Sequence, residues 1–172
     1  IVSYNTRDLT RRCLESIFAS RPQATFEVVV VDNASADGSA DAIAAEFPAV
    51  TLVRSPVNLG FAAGVNLARR SASGERLLLL NPDTRVLGDA IDRLLAFSRA
   101  HPEAGITGGR TVNDDGSLNP WSCRGRPTPW GLFCQATGLT TAFRMHPLFD
   151  PASLGRWARD SVREVDVVVG CL

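Results

Sequence analysis

The sequence predicts an α/β domain built on a mostly parallel sheet flanked by helices. Three observations carry that expectation. Two short apolar runs, Val28–Val31 and Leu77–Leu80, stop abruptly at polar turn residues, as strands buried on both faces do. Stretches with helical spacing follow each run, so strand and helix alternate four times in the first hundred residues. Right-handed crossovers then bring the carboxyl ends of the strands to one rim of the sheet, where ligands of such sheets bind.

The elements follow in order. Ile1–Tyr4 reads as the end of a first strand, left through a turn at Asn5 and Thr6. Thr6 or Asp8 can cap a helix over residues 9–19, in which Leu9, Cys13, Leu14, Ile17 and Phe18 recur on one face and Arg21-Pro22 forms the stop. Phe26–Val31 is the second strand, and Asp37-Gly38-Ser39 opens a helix running to Phe47. Val50–Val53 is a third strand; a turn at 58–61 leads into a helix to about Ala72, with Gly74 as its stop. Leu77–Leu80 is a fourth strand, buried like the second, and Leu87–Ala100 a fourth helix. Beyond Gly105 the rhythm breaks. A hairpin is expected at Asp114-Asp115-Gly116-Ser117, then a mobile loop with Trp121 and Trp130, a short helix over 151–163 and a last strand over 165–169.

Composition narrows the function. With 172 residues, 45% of them hydrophobic, the chain suits one globular domain. Eighteen basic residues against eighteen acidic ones argue against a broad nucleic-acid-binding surface. All eighteen cations are arginine. Without lysine there is no complete Walker A loop and no Schiff-base chemistry, and GxGxxG, GxSxG and HExxH are absent too. Most of the arginines read as ordinary surface residues. Cys13, Cys123, Cys134 and Cys171 show neither CxxC pairing nor metal-ligand spacing with His101 or His146, which suits reduced packing residues of an intracellular domain. The chain opens at Ile1 without methionine and closes just past an apolar run, so it is read as a fragment truncated at both ends.

Three motifs carry candidate chemistry. Asn81-Pro82-Asp83 sets one carboxylate at the end of the leucine run, a donor suited to Mg2+ or Mn2+, which takes one or two carboxylates plus substrate phosphates. The same tripeptide also suits an Asx turn or helix cap. Asp32 and Asn33, with Ser35 nearby, end the second strand. Asp32 can accept a hydrogen bond from a pyrimidine imide N–H or a ribose hydroxyl, or can cap the next helix. Asn58 to Asn66 places Gly60 and Gly64 at a turn into a helix, whose free N–H groups suit a phosphate; the glycines serve a turn or close packing equally well. The geometric expectation is that the carboxyls of Asp32 and Asp83 face one cleft.

Taken together, IVSYN, VVVVDNASADGS, NLGFAAGVN and LLLLNPD, in this order and spacing, closely resemble the family-2 glycosyltransferases of the GT-A fold. N-P-D in place of D-x-D, with the DDGS turn and the R-P-T-P run, resembles their rhamnosyltransferase-like branch. The likeness covers residue 1 to about 129, and VDVVVGCL resumes it.

The resemblance implies a Rossmann-like GT-A domain with a nucleotide-sugar-binding half at 1–100 and the start of an acceptor-side half at 101–172. Tyr4, Asn5 and Asp32 hold base and ribose; Asn58, Gly60 and Asn66 line the nucleotide-sugar pocket; Ser3, Asn33, Ser35 and Asn81 complete the donor-binding set. Asp83 binds Mg2+ or Mn2+ on the diphosphate, and Asn81 leaves one fewer charged ligand than D-x-D would. The expected reaction is inverting transfer of a deoxyhexose, with dTDP-rhamnose as the candidate donor, onto a glycan or lipid-linked acceptor of a cell-surface polysaccharide. The setting implied is the cytoplasm at the inner face of the membrane, with peripheral membrane association of the full-length protein. The base of such enzymes lies in an acidic pair that would fall beyond Leu172, and Asp114, Asp115 and Asp150 do not occupy its position, so no catalytic base is assigned. The rival readings are a sugar-phosphate nucleotidyltransferase and a catalytically silent nucleotide-sugar-binding module.

Overall fold

A computed structural model describes residues 1–120, 122–155 and 157–169. It divides into two compact units, Ile1–Pro102 and a second beginning at Glu103.

The first unit holds a parallel sheet of β1 (Val2–Ser3), β2 (Val28–Asp32) and β3 (Val50–Arg54), with β2 in the centre. Val2 and Ser3 pair with Val31 and Asp32, and residues 28–32 pair in register with 50–54. Both ladder sides of β2 are therefore occupied, and its valines need no solvent. Val30 and Val31 are fully buried, each removing roughly 1.5–3 kcal/mol worth of apolar surface from water. On one face Val28 and Val30 meet Cys13, Leu14 and Ile17 of α1 (Arg7–Ser20) and Ile43 of α2 (Ser39–Glu46). Phe18 and Phe47 extend that core, with ring centroids 6.1 Å apart. The other face is covered by α3 (Gly60–Arg70), which packs on β1 and β2. At Gly64 a methyl group would come within 2.8 Å of Val2 Cγ1, so glycine is what lets this helix sit so close.

The helices start and stop as their residues dictate. Thr6 precedes α1 but makes no side-chain cap; its hydroxyl joins those of Ser3 and Thr10, at 3.0 and 3.1 Å. Arg21 ends the helix in the left-handed conformation, with Pro22 next. At α2, Gly38 takes φ 80°, and the Asp37 carboxylate accepts the Ser39 N–H at 3.0 Å. A fourth helix, α4 (Ala90–Ala100), closes the unit, with Ile91 against the core.

The buried fourth strand is not formed. Residues 77–80 make no ladder, and Leu77, Leu78 and Leu79 are 49, 42 and 47% exposed. Only Leu80 joins the core. β1, the sheet edge nearest to Leu79 and Leu80, is two residues long and offers few groups to pair with. The preceding segment is held by side chains instead: Glu27 accepts from Ser73 N–H at 2.6 Å and Gly74 N–H at 2.9 Å, and an Arg76 guanidinium N–H donates to the Ser98 carbonyl at 3.3 Å.

In the second unit the DDG hairpin is present as an antiparallel bridge between Val112 and Leu118, closed by Asn113 N–H to Ser117 O at 2.8 Å. Short antiparallel strands β4 (Cys123–Arg124) and β5 (Val167–Val168) pair there too. Trp130 lies in a helix, α5 (Pro129–Ala136), and not in a mobile loop. Thr128 caps α5 by accepting the Gly131 N–H at 3.0 Å. A short α6 (Leu139–Ala142) follows. The helix expected over 151–163 is cut to one 3-10 turn, Pro151–Ser153, because Leu154 and Gly155 both turn left-handed. Trp121 and Cys171 lie outside the described residues; Cys13, Cys123 and Cys134 are free thiols. Among the described residues no helix is long and apolar enough to cross a membrane.

Candidate functional site

The carboxyl ends of β2 and β3 open onto a cleft of about 510 Å³, floored by Asp32 and Ser35 and walled by Gly38, Ala40 and Asp41 on one side and residues 54–56 on the other. Parallel pairing sets this geometry: Asn33 N–H donates to Ser3 O and Ser55 N–H to Asp32 O, each at 2.8 Å, so the three strands end together. Backbone direction thus does the first positioning.

Asp32 is the chemical centre of the cleft. Its side chain is only 4% exposed. Oδ2 accepts the Ser35 N–H at 3.2 Å, while Oδ1 is buried without a hydrogen-bond partner among the described residues. Leaving a buried carboxylate oxygen unpaired costs about 1–3 kcal/mol or more. Such an atom asks for a donor, and a ligand N–H or O–H in the cleft is the kind it would take.

The turns after β1 and β2 are stitched together around it. Asn5 N–H donates to Ser35 Oγ at 3.0 Å, and Ala36 N–H donates to Asn5 Oδ1 at 2.8 Å. Arg7 N–H reaches Asp37 Oδ2 at 3.0 Å. The Asp37 carboxyl is held below its ordinary range, chiefly by the hydroxyl of Ser39 and also by the backbone N–H groups of Arg7 and Ser39. Asn5 (φ 52°) and Ala34 (φ 66°) both adopt the left-handed conformation, tolerable for asparagine and strained for alanine. The N–H groups of residues 5, 35, 36 and 39 are thereby used up internally. The floor presents an acceptor rather than an anion-binding nest.

A second cluster forms beside the first. Asn33, 2% exposed, donates through Nδ2 to Asn58 Oδ1 at 2.8 Å and accepts the Leu59 N–H at 2.8 Å. Asn58 Oδ1 also takes the Gly60 N–H at 2.9 Å. Asn33 therefore clasps the turn entering α3, and Gly60 has the φ of 74° that this turn requires.

The candidates thus fall into distinct places. Asp32, Asn5 and Ser35 come together at one turn, and Asn33, Asn58 and Gly60 at another. Tyr4 is exposed beside Asn5, and Asn66 is exposed on α3, its side chain without a hydrogen bond among the described residues. Ser3 is fully buried, its hydroxyl 2.9 Å from that of Thr10, so it braces the turn from within. Asn81 and Asp83 do not line the cleft. Asp83 is exposed, and the Asn81 carbonyl accepts the Thr84 hydroxyl at 2.7 Å. The buried Cys13 thiol approaches that carbonyl at 3.6 Å; burial, aided by the charge of Asp83, pushes the thiol upward. Two cleft residues escaped the sequence reading. Arg54 pairs with Asp41 at 2.8 Å and reaches the Ala40 carbonyl at 3.3 Å. Arg54 follows the apolar run of β3 just as Asp32 follows that of β2, and that was its available signal.

For a cation the donor set is sparse. Among the described residues no three His, Cys, Asp or Glu side chains gather. A solvent-facing carboxylate such as Asp83 fits Mg2+ or Mn2+ only as one ligand of an ion that draws the rest from phosphate and water.

Comparison with known proteins gives these features a context. Residues 1–156 match the family model described as Glycosyl transferase family 2. The chain is 31% identical over 157 residues to the N-acetylglucosaminyl-diphospho-decaprenol L-rhamnosyltransferase of Mycobacterium tuberculosis (strain ATCC 25618 / H37Rv), covering 78% of this chain and 51% of that protein. It is 30% identical over 124 residues to the poly(ribitol-phosphate) beta-glucosyltransferase of Bacillus spizizenii, covering 69% of this chain and 19% of that protein. Among solved structures it is similar to the mannosyltransferase PcManGT from Pyrobaculum calidifontis in complex with GDP-Man and Mn2+. That match has a TM-score of 0.53 and 29% identity over 65% of this chain and 34% of that one. S. aureus TarS 1–349 in complex with UDP shares the fold, with a TM-score of 0.55 and 21% identity over 70% of this chain and 37% of that one. The chain spans about half the length of the first of these relatives.

Proposed function

The chain belongs to glycosyl transferase family 2, with a rhamnosyltransferase-like sequence on a GT-A fold, and on that premise we propose that it binds a nucleotide-diphosphate sugar through the Asp32 cleft for inverting transfer to a surface glycan. The observation that carries this reading is the open, buried carboxylate oxygen of Asp32 at the carboxyl ends of three parallel strands. Asp32 Oδ1 accepts a hydrogen bond from a base imide or a ribose hydroxyl. Asn5 and Ser35 hold the two turns in register beneath the nucleoside, braced by Ser3, with Tyr4 exposed alongside. Asn33 and Asn58 fix the turn at Gly60 that presents α3 and Asn66 to the nucleotide sugar. Asp83, beside Asn81, holds Mg2+ or Mn2+. When bound, that ion supplies Lewis acidity and offsets charge developing on the leaving diphosphate.

A deoxyhexose donor, with dTDP-rhamnose the first to try, follows from the likeness to the mycobacterial rhamnosyltransferase. That relative acts on a lipid-linked acceptor, N-acetylglucosaminyl-diphospho-decaprenol, which supports a glycan or lipid-linked acceptor here; the setting proposed with it is the cytoplasm at the inner face of the membrane. Residues 1–100 act as the nucleotide-sugar-binding half and 101–172 as the start of the acceptor-side half. The test is calorimetric titration of the chain with nucleotides and nucleotide sugars, with and without Mn2+. Affinity for a nucleoside-diphosphate sugar that Asp32→Ala lowers about tenfold is the expected result. Equal affinity in wild type and variant would count against it.

A further inference from the structure

The wall of the Asp32 cleft carries one cation, Arg54, to which the donor-site reading gives no task. In β2 the side chains of Val28 and Val30 turn toward α1 and α2, and Asp32 is next on that face; in β3 Val50 and Leu52 do the same, and Arg54 follows. Asp32 and Arg54 are register partners on adjacent parallel strands, so their backbones run about 4.8 Å apart and both side chains leave on the same side of the sheet. Neighbours of opposite charge would ordinarily pair. Here Arg54 Nη1 turns instead to Asp41 Oδ1 at 2.8 Å and Nη2 to the Ala40 carbonyl at 3.3 Å, while Asp32 Oδ1 stays buried and unpartnered among the described residues. The guanidinium is thereby pinned against the start of α2, with the cleft between it and the open carboxylate oxygen. Two bonds leave three of its five N–H groups to offer, and its side chain is half exposed.

Charge selects the occupant of that gap. Asp32 and Asp41 against Arg54 are the charged residues that line the cleft, so a diphosphate would meet more repulsion than attraction there. The N–H groups of Ser35, Ala36 and Ser39, which could have bound an anion, are consumed by Asp32, Asn5 and Asp37. A neutral heterocycle escapes the repulsion, provided it brings a donor for Asp32 beside an acceptor for Arg54. A pyrimidine imide does so in either orientation, because its ring N–H has a carbonyl on each side. Cytosine in the same pose turns a bare ring nitrogen toward the carboxylate and puts an amino group in place of one carbonyl.

We propose, resting on the nucleotide-binding reading of this cleft, that Arg54 is a specificity-determining residue that donates to a carbonyl of a uracil or thymine base whose imide N–H is taken by Asp32. Asp41 acts as the positioning residue that holds the guanidinium in place. Calorimetric titration of the intact chain with UDP, UMP, dTDP and CDP tests this. Wild-type chain is expected to bind UDP and dTDP about tenfold more tightly than CDP; equal affinities overturn the proposal without any variant. Arg54→Met, which keeps the stem and removes the donors, is expected to lose about tenfold for UDP, UMP and dTDP alike, with CDP affinity and far-UV circular dichroism little changed. An equal fall for all four nucleotides gives Arg54 a merely structural role, and a larger loss for UDP than for UMP moves it to the phosphates; either overturns the proposal. If Asp32→Ala weakens UDP binding and Arg54→Met does not, base reading by Arg54 fails and the donor-site reading stands. If no nucleotide binds, or Asp32→Ala changes nothing, both fall.

Discussion

Two stretches of the first unit look alike as text and differ as objects. Val28–Asp32 and residues 77–83 are each an apolar run ending at an aspartate. The first is a strand with both ladder sides paired, and its Asp32 is buried with one oxygen open. The second is unpaired, with three exposed leucines, and its Asp83 faces solvent. Hydrophobicity sets where a run would like to be. Available neighbours decide whether it becomes a strand, and what kind of carboxylate stands at its end.

The strongest way to break the comparison is to charge both runs. Val30→Asp is expected to cost about 4 kcal/mol or more, since it buries a carboxylate between occupied neighbours, while Leu78→Asp stays within about 1 kcal/mol. Urea denaturation measures both, and equal costs would erase the distinction. Next come the amides. Asn33→Ala removes the clasp on Asn58 and Leu59 and should cost about 2–3 kcal/mol. Asn81→Ala should cost less than about 1 kcal/mol, because the bonds it accepts come to its backbone carbonyl, which alanine keeps.

Smaller effects separate the two carboxylates. Asp32→Ala should weaken nucleotide binding about tenfold with or without Mn2+, whereas Asp83→Ala should remove only the increment that Mn2+ adds. Titration of each variant in EDTA and in Mn2+ distinguishes them. The smallest effect concerns acid. Asp37 lies below its ordinary 3.8 in the folded chain. Its stabilising contribution is therefore fully present above that value and is lost as pH falls through the lowered one. Asp37→Ala should lower stability at neutral pH, flatten the acid limb of a stability–pH curve and leave the most acid values nearly unchanged.

What was legible in the sequence was whatever a residue owes to its own neighbours in the chain. The spacing of Cys13, Leu14 and Ile17 gave α1, the valine run gave β2 within two residues at its start, and Asp37-Gly38-Ser39 gave the start of α2. Asp32, Asn5 and Ser35 were named as candidates, but not the bonds that join them, because contacts between turns thirty residues apart leave no local pattern. The leucine run misled for the same reason: its apolar character is local, while the shortness of β1 beside it is not. Arg54 was missed because, among eighteen arginines that read as ordinary surface residues, nothing local marks the one that meets Asp41. Trp130 was assigned to a loop because prolines crowd around it, although Pro129 at the first turn of a helix is a natural starter.

Ala34 has one further consequence. Its left-handed backbone, without glycine's freedom, stores on the order of 1 kcal/mol beside the cleft. Ala34→Gly should therefore raise the melting temperature while loosening the mouth around Asp32, so natural drift toward a hardier chain and selection for a crisp binding pocket pull this position in opposite directions.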